Sequence, residues 1–252
     1  MEFVNKAASL STIIFVVSSM LAVGLSLTVG RVVAPLRNAR LVTFALLANF
    51  VLMPLAAMAI ARLLQLDGSL GVALLLLGTA PGAPFIPLLA GIAKGDLAFS
   101  VGLTVLLMIL SVAYMPLVLP LLLSGVSVDP AKIASSLLLL MLLPLGIGLA
   151  VKAGLEGIAA RIEPLFSNAS KFALMLLILL MFVANIQNIL SLYVSRGVLA
   201  SILLLVAGSI IGWFLGGPAV KTRSVMALGT AQRNIAAALV VAKQTSVTHG
   251  WP

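Results

Sequence analysis

Gly78-Thr79-Ala80-Pro81-Gly82-Ala83-Pro84-Phe85-Ile86-Pro87 is the stretch on which the reading of this chain turns. Three prolines stand within seven residues, and apolar sequence runs on both sides of them, from Leu70 to Ala93. Each proline removes a backbone donor and crowds the turn before it, so one uninterrupted α-helix is not possible here. Carbonyls near Thr79 and Ala80 must find partners outside a helical ladder. At membrane depth such backbone persists only where it is buried in protein or lines a watery cavity.

The sequence around this break places it at membrane depth. Of 252 residues, 62% are hydrophobic and 8% charged, against roughly half and a quarter in soluble domains. A spanning helix needs about 20 largely apolar residues. Such stretches recur at 7–29, 41–64, 70–93, 98–123, 131–151, 172–192, 198–215 and 224–242. The Leu-rich runs lack the alternation of a membrane barrel. The fold class expected is therefore all-α: a polytopic helical membrane bundle of about eight transmembrane segments, forming a single domain over 1–252. The short connections make consecutive helices antiparallel neighbours.

The formal charge of +9 is spread through short loops, with no basic cluster interleaved with aromatics. It reads as topology signal and argues against nucleic acid as a partner. Alternate loops carry nine Lys and Arg (Arg31, Arg37, Arg40, Lys94, Lys152, Arg161, Lys171, Lys221, Arg223), against five on the other side (Lys6, Arg62, Lys132, Arg196, Lys243). The richer side is expected to be cytoplasmic, with both termini external, in a plasma or inner membrane. With no cysteine there is no disulfide framework and no thiol chemistry. The basic start and first apolar run read as a retained helix, without a clear cleavage site.

A second interruption lies in Ala227-Leu228-Gly229-Thr230-Ala231-Gln232-Arg233-Asn234-Ile235-Ala236-Ala237-Ala238. An arginine at a helix centre costs about 3 kcal/mol on insertion scales, so Arg233 should face the protein interior or a cavity. The competing reading has it snorkel to an interface. Two broken helices, one in each half and about 150 residues apart, point to a transporter built of inverted repeats, here 7–124 and 131–243. Gly208, Gly212 and Gly216 recur every fourth residue and read as a helix-packing face. Asn185, Gln187 and Asn188 read first as helix-end polar groups, and His249 as a tail residue.

Four stretches resemble the bile acid:sodium symporter family: Met20 to Thr28, Ala48 to Pro54, Pro81-Gly82 followed by Ala93 to Ser100, and Gly229 to Leu239. The resemblance implies a core and a panel domain, with two discontinuous helices crossing near the membrane centre. Against the family's ten-helix pattern, the first and last helices are unmatched, and the tail from Lys243 to Pro252 departs from it. The resemblance places hydroxyl sodium ligands at Ser100 and Thr104 and a side-chain amide ligand at Asn49. Thr230, which flanks the second break as Thr79 flanks the first, is a further candidate sodium ligand through its backbone oxygen, the alternative being that both threonines only satisfy freed carbonyls. Ile86-Pro87 and Ala231 replace other expected ligands, and no carboxylate stands within the membrane segments. Hard cations want several oxygens at short range, so sodium, the candidate coupling ion, is weakly provided for. Arg233 is expected to supply that positive charge instead and, with Gln232, Asn234, Pro81 and Gly82, to receive the substrate.

These readings converge on a secondary active transporter that moves a small organic anion across a lipid bilayer by alternating access. Paired intramembrane acids, a Ser-His set and a nucleotide-binding motif are absent from the sequence, so neither an enzyme nor an ATP-driven pump is expected, and no cofactor. The alternative is a truncated or inactive family member serving as a membrane scaffold.

Overall fold

The computed structural model describes residues 2–28, 30, 38–66, 68–123, 126–184, 196–242 and 245–247. Arg31, Arg37, Asn185, Gln187, Asn188, Lys243 and His249 lie outside the described residues. In chain order, α1 spans Glu2–Ser26. A second long helix is built from α2 (Ala39–Leu47), a π-helical turn (Ala48–Leu52) and α3 (Met53–Leu63). Then come α4 (Gly68–Gly78), α5 (Ile86–Ile92) and α6 (Leu97–Leu122). A three-residue strand, β1 (Val126–Val128), precedes α7 (Pro130–Leu137), a second π-helical turn (Leu138–Leu142) and α8 (Leu143–Gly154). The chain continues through α9 (Glu156–Ala184), α10 (Gly197–Leu215), α11 (Val220–Ala231), α12 (Ile235–Ala242) and β2 (Thr245–Val247). The two strands form one short antiparallel ladder with Val126 opposite Val247.

Among the described residues, seven helical stretches are long and apolar enough to cross a bilayer. The segment expected at 70–93 is the exception, because the prolines divide it into α4 and α5, both too short to span alone. The sixth segment also differs. It was expected at 172–192, but α9 begins at Glu156. Hydropathy falls over 156–171, yet Ala159, Ser170, Ala173 and Leu177 are all buried and share one helical face, while Arg161 is exposed. An amphipathic turn-by-turn pattern extends a helix well beyond its most apolar part. Lys152 Nζ meets Glu156 Oε1 at 2.9 Å across the α8–α9 junction.

Packing gathers the chain into two compact units, Met1–Val29 with Ser136–Arg196, and Gly30–Ser135 with Gly197–Pro252. Each unit draws on both expected repeat halves. In the first, α1 lies along α8 and α9. A Cβ on Gly24 would stand 2.9 Å from Gly148 Cα, so α1 and α8 touch backbone to backbone.

The second unit contains both broken helices. Its centre is Ala45, Ala90, Phe99, Leu103, Leu107, Val225 and Met226, packed from α2, α5, α6 and α11. Here the glycine repeat of α10 is a packing face. A Cβ on Gly208 would lie 2.7 Å from Ala231 Cα, and one on Gly212 would lie 2.7 Å from Ala227 Cα. That close approach holds the second break against α10.

Candidate functional site

Inside the second unit the two breaks meet. The ladder of α4 stops at Gly78, where Thr79 Oγ1 donates to Leu75 O at 2.9 Å. The chain then runs without regular helix to Phe85. Gly82 has φ +84°, and a Cβ there would stand 2.7 Å from Met108 N, so backbone sign and space both require glycine. The opposite break begins at Gln232, whose ψ of 124° takes the chain out of α11.

Asn234 joins the breaks. Its backbone N–H donates to Ala80 O at 2.7 Å, and its side-chain Nδ2 donates to Gly82 O at 3.2 Å. Its Oδ1 accepts from Ala237 N at 3.0 Å and so caps α12. Pro81 O accepts from Ser111 Oγ at 3.2 Å. The carbonyls of the first break are thus taken up by the Ser111 hydroxyl from α6 and by the backbone N–H and side-chain amide of Asn234 from the second break, which is how irregular backbone survives in an apolar interior.

Arg233 lies at the centre, 8% exposed. Nε donates to Leu77 O at 2.9 Å and Nη2 to Gly78 O at 2.5 Å. Nη1 donates to Asn49 Oδ1 at 3.0 Å and to Thr230 O at 3.1 Å. Three of these acceptors are carbonyls at the C-terminal ends of α4 and α11, where the last turns leave oxygens without helical partners and the dipoles favour a cation. The guanidinium is therefore buried in the unit and does not snorkel.

Asn49 is fully buried, in the first π-helical turn. Its Nδ2 donates to Ala45 O at 3.0 Å and lies 3.4 Å from Thr230 Oγ1. Asn49, Thr230, Arg233, Asn234 and Gly82 therefore belong to one hydrogen-bonded cluster. Ser100 and Thr104, also buried, donate within their own helix, to Leu97 O and Ser100 O, both at 2.7 Å. Among the described residues no hydrogen bond links those two hydroxyls to Arg233. Gln232 is half-buried, and its side-chain amide has no hydrogen-bond partner among the described residues.

Two residues of this site have no forecast in the sequence reading. Ser111 and Tyr114, one turn apart on α6, hold Pro81 O and Phe50 O. A signal for Tyr114 was present: Pro54 has no N–H to give to the carbonyl four residues back, so Phe50 O needs another donor.

Residues 13–192 match the family model described as Sodium Bile acid symporter family. The chain is 28% identical over 154 residues to the hepatic sodium/bile acid cotransporter of Rattus norvegicus, which covers 59% of this chain and 42% of that protein. It is 34% identical over 130 residues to the probable chloroplastic sodium/metabolite cotransporter BASS2 of Oryza sativa subsp. japonica, covering 51% of this chain and 31% of that protein. The matched stretches span less than half of each relative's length.

Proposed function

Because the chain belongs to the sodium bile acid symporter family, a family of multi-pass membrane transporters of small solutes, we propose that it carries a small organic anion by alternating access. The observation that supports an anion is the charge balance at the crossing. Arg233 has its hydrogen bonds largely satisfied and its charge not. All four end on neutral oxygens, and it has no carboxylate partner among the described residues. A buried charge is costly unless it is paired. An anion arriving at the crossing supplies the missing countercharge.

Of the guanidinium's five N–H donors, one on Nη2 is left over. In this reading the substrate carboxylate or sulfonate takes that N–H together with the free amide of Gln232. Asn234, Pro81 and Gly82 hold the backbone that frames it. In this reading sodium coupling is judged in the same terms. Asn49 Oδ1 and Thr230 O, two oxygens that a cation would need, already accept from Arg233. The guanidinium stands where a coupling ion would add charge, so binding of the anion does not require sodium at that point.

Thermal unfolding of the purified protein in detergent tests this reading, in sodium chloride against potassium chloride at equal ionic strength, each with a panel of carboxylates and sulfonates. A ligand bound only by the folded state stabilises it by about 2.7 kcal/mol at a hundredfold excess over Kd. The expected outcome is a shift with at least one anion that is equal in both salts. A shift that appears only in sodium would restore ion coupling, and no shift with any anion would remove the substrate assignment.

A further inference from the structure

We propose that Tyr114 is a positioning residue for the Arg233 cluster: its hydroxyl holds open the π-helical turn that aims Asn49 at the guanidinium.

The chain of cause begins at Pro54. Having no N–H, it cannot satisfy Phe50 O, and its ring crowds the turn before it. The helix responds by widening at Ala48–Leu52, where the Met53 N–H reaches Ala48 O, five residues back. Tyr114 Oη then donates to Phe50 O at 2.6 Å, supplying the donor that Pro54 lacks. The two rings meet edge to face, with centroids 4.7 Å apart and planes at 61°.

A π turn inserts one residue into the helical repeat, which rotates the side chains on one side of it by about 100° relative to those on the other. Asn49 sits within that turn, next to Phe50. The direction of its amide, and with it the 3.0 Å contact of Oδ1 with Arg233 Nη1, depends on the turn staying wide. Ser111 performs the matching task one turn earlier on α6, donating to Pro81 O. One face of α6 therefore braces both the first break and the wide turn. The assignment concerns the geometry around Arg233 and holds whichever solute is carried.

The test uses full-length protein in detergent and needs no ligand. Tyr114→Phe keeps the ring and removes only the hydroxyl. It is expected to lower the melting temperature by about 4 °C, in proportion to one lost buried hydrogen bond. In an Asn49→Ala background the same change is expected to cost less than half of that, because the aim of residue 49 no longer matters. In ¹⁵N-arginine spectra, with the Arg233 Nε–H signal assigned by its loss in Arg233→Lys, Tyr114→Phe should move that signal toward its position in Asn49→Ala. Equal melting-temperature losses in both backgrounds with an unmoved Arg233 signal would overturn the proposal, leaving the hydroxyl as local packing. Should Tyr114→Phe fail to fold, Pro54→Ala gives the second arm. It returns an N–H to Phe50 O, so the Arg233 signal should shift as the turn tightens, and an unchanged signal would overturn the proposal equally.

Discussion

Arg233 is a buried cation that donates four hydrogen bonds to neutral oxygens. It caps the carbonyl ends of two half-helices with one planar group, and that role does not pass to lysine, whose three donors radiate from one point. Arg233→Lys is expected to fold but to weaken the anion-induced thermal shift, with Kd raised roughly tenfold, the scale of a lost charge-assisted hydrogen bond. Arg233→Ala should abolish the anion response, lower stability by about 3 kcal/mol for the carbonyls left bare, and show a sodium-specific rise in melting temperature that the parent lacks. That last outcome is checked by titrating sodium against potassium. If it fails, the vacated oxygens do not form a cation site. Composition and position alone made the residue legible as special, since an arginine inside an apolar run demands an interior partner. Which partners it takes was not legible, because Leu77, Gly78 and Asn49 lie more than 150 residues away in sequence, and the first two contribute backbone oxygens that any residue type possesses.

At the scale of elements, the breaks depend on glycine at a few positions. Gly82→Ala would force a Cβ into left-handed backbone 2.7 Å from Met108 N. A loss of about 2 kcal/mol or more is expected in denaturant or thermal unfolding, combining the conformational penalty with overpacking. Gly212→Leu should be worse, since α10 and α11 touch through backbone there and would have to part. The measurable outcome is loss of folded protein on size-exclusion chromatography, whereas Gly146→Ala, where a Cβ meets nothing within 4 Å, should be silent. The prolines announced that an α-helix had to stop near Thr79, because a missing donor is a property of the residue itself. The start of α9 was not announced, because its first turns are polar and are held by tertiary packing of a narrow buried stripe through Ala159 and Ser170.

For the whole molecule, the basic bias of alternate loops yields a topology that can be probed directly, since the chain contains no cysteine of its own. A cysteine placed at Lys94 should react with impermeant maleimide only from the cytoplasmic side, and one at Gln65 only from outside. The reverse pattern would invert the orientation. Class, membrane residence and the existence of two interrupted helices follow from the sequence by itself, because apolar run length, the donors missing at Pro81, Pro84 and Pro87, and the polar run from Gln232 to Asn234 are local quantities that no fold can alter. Tertiary structure alone decided that the interruptions meet in one compact unit. It also decided that Arg233 spends its donors on the open ends of both helices, and that Tyr114 and Ser111 brace the crossing. Those facts rest on which distant carbonyls are left unpaired and what then comes within 3 Å of them, and that is settled only when the helices pack.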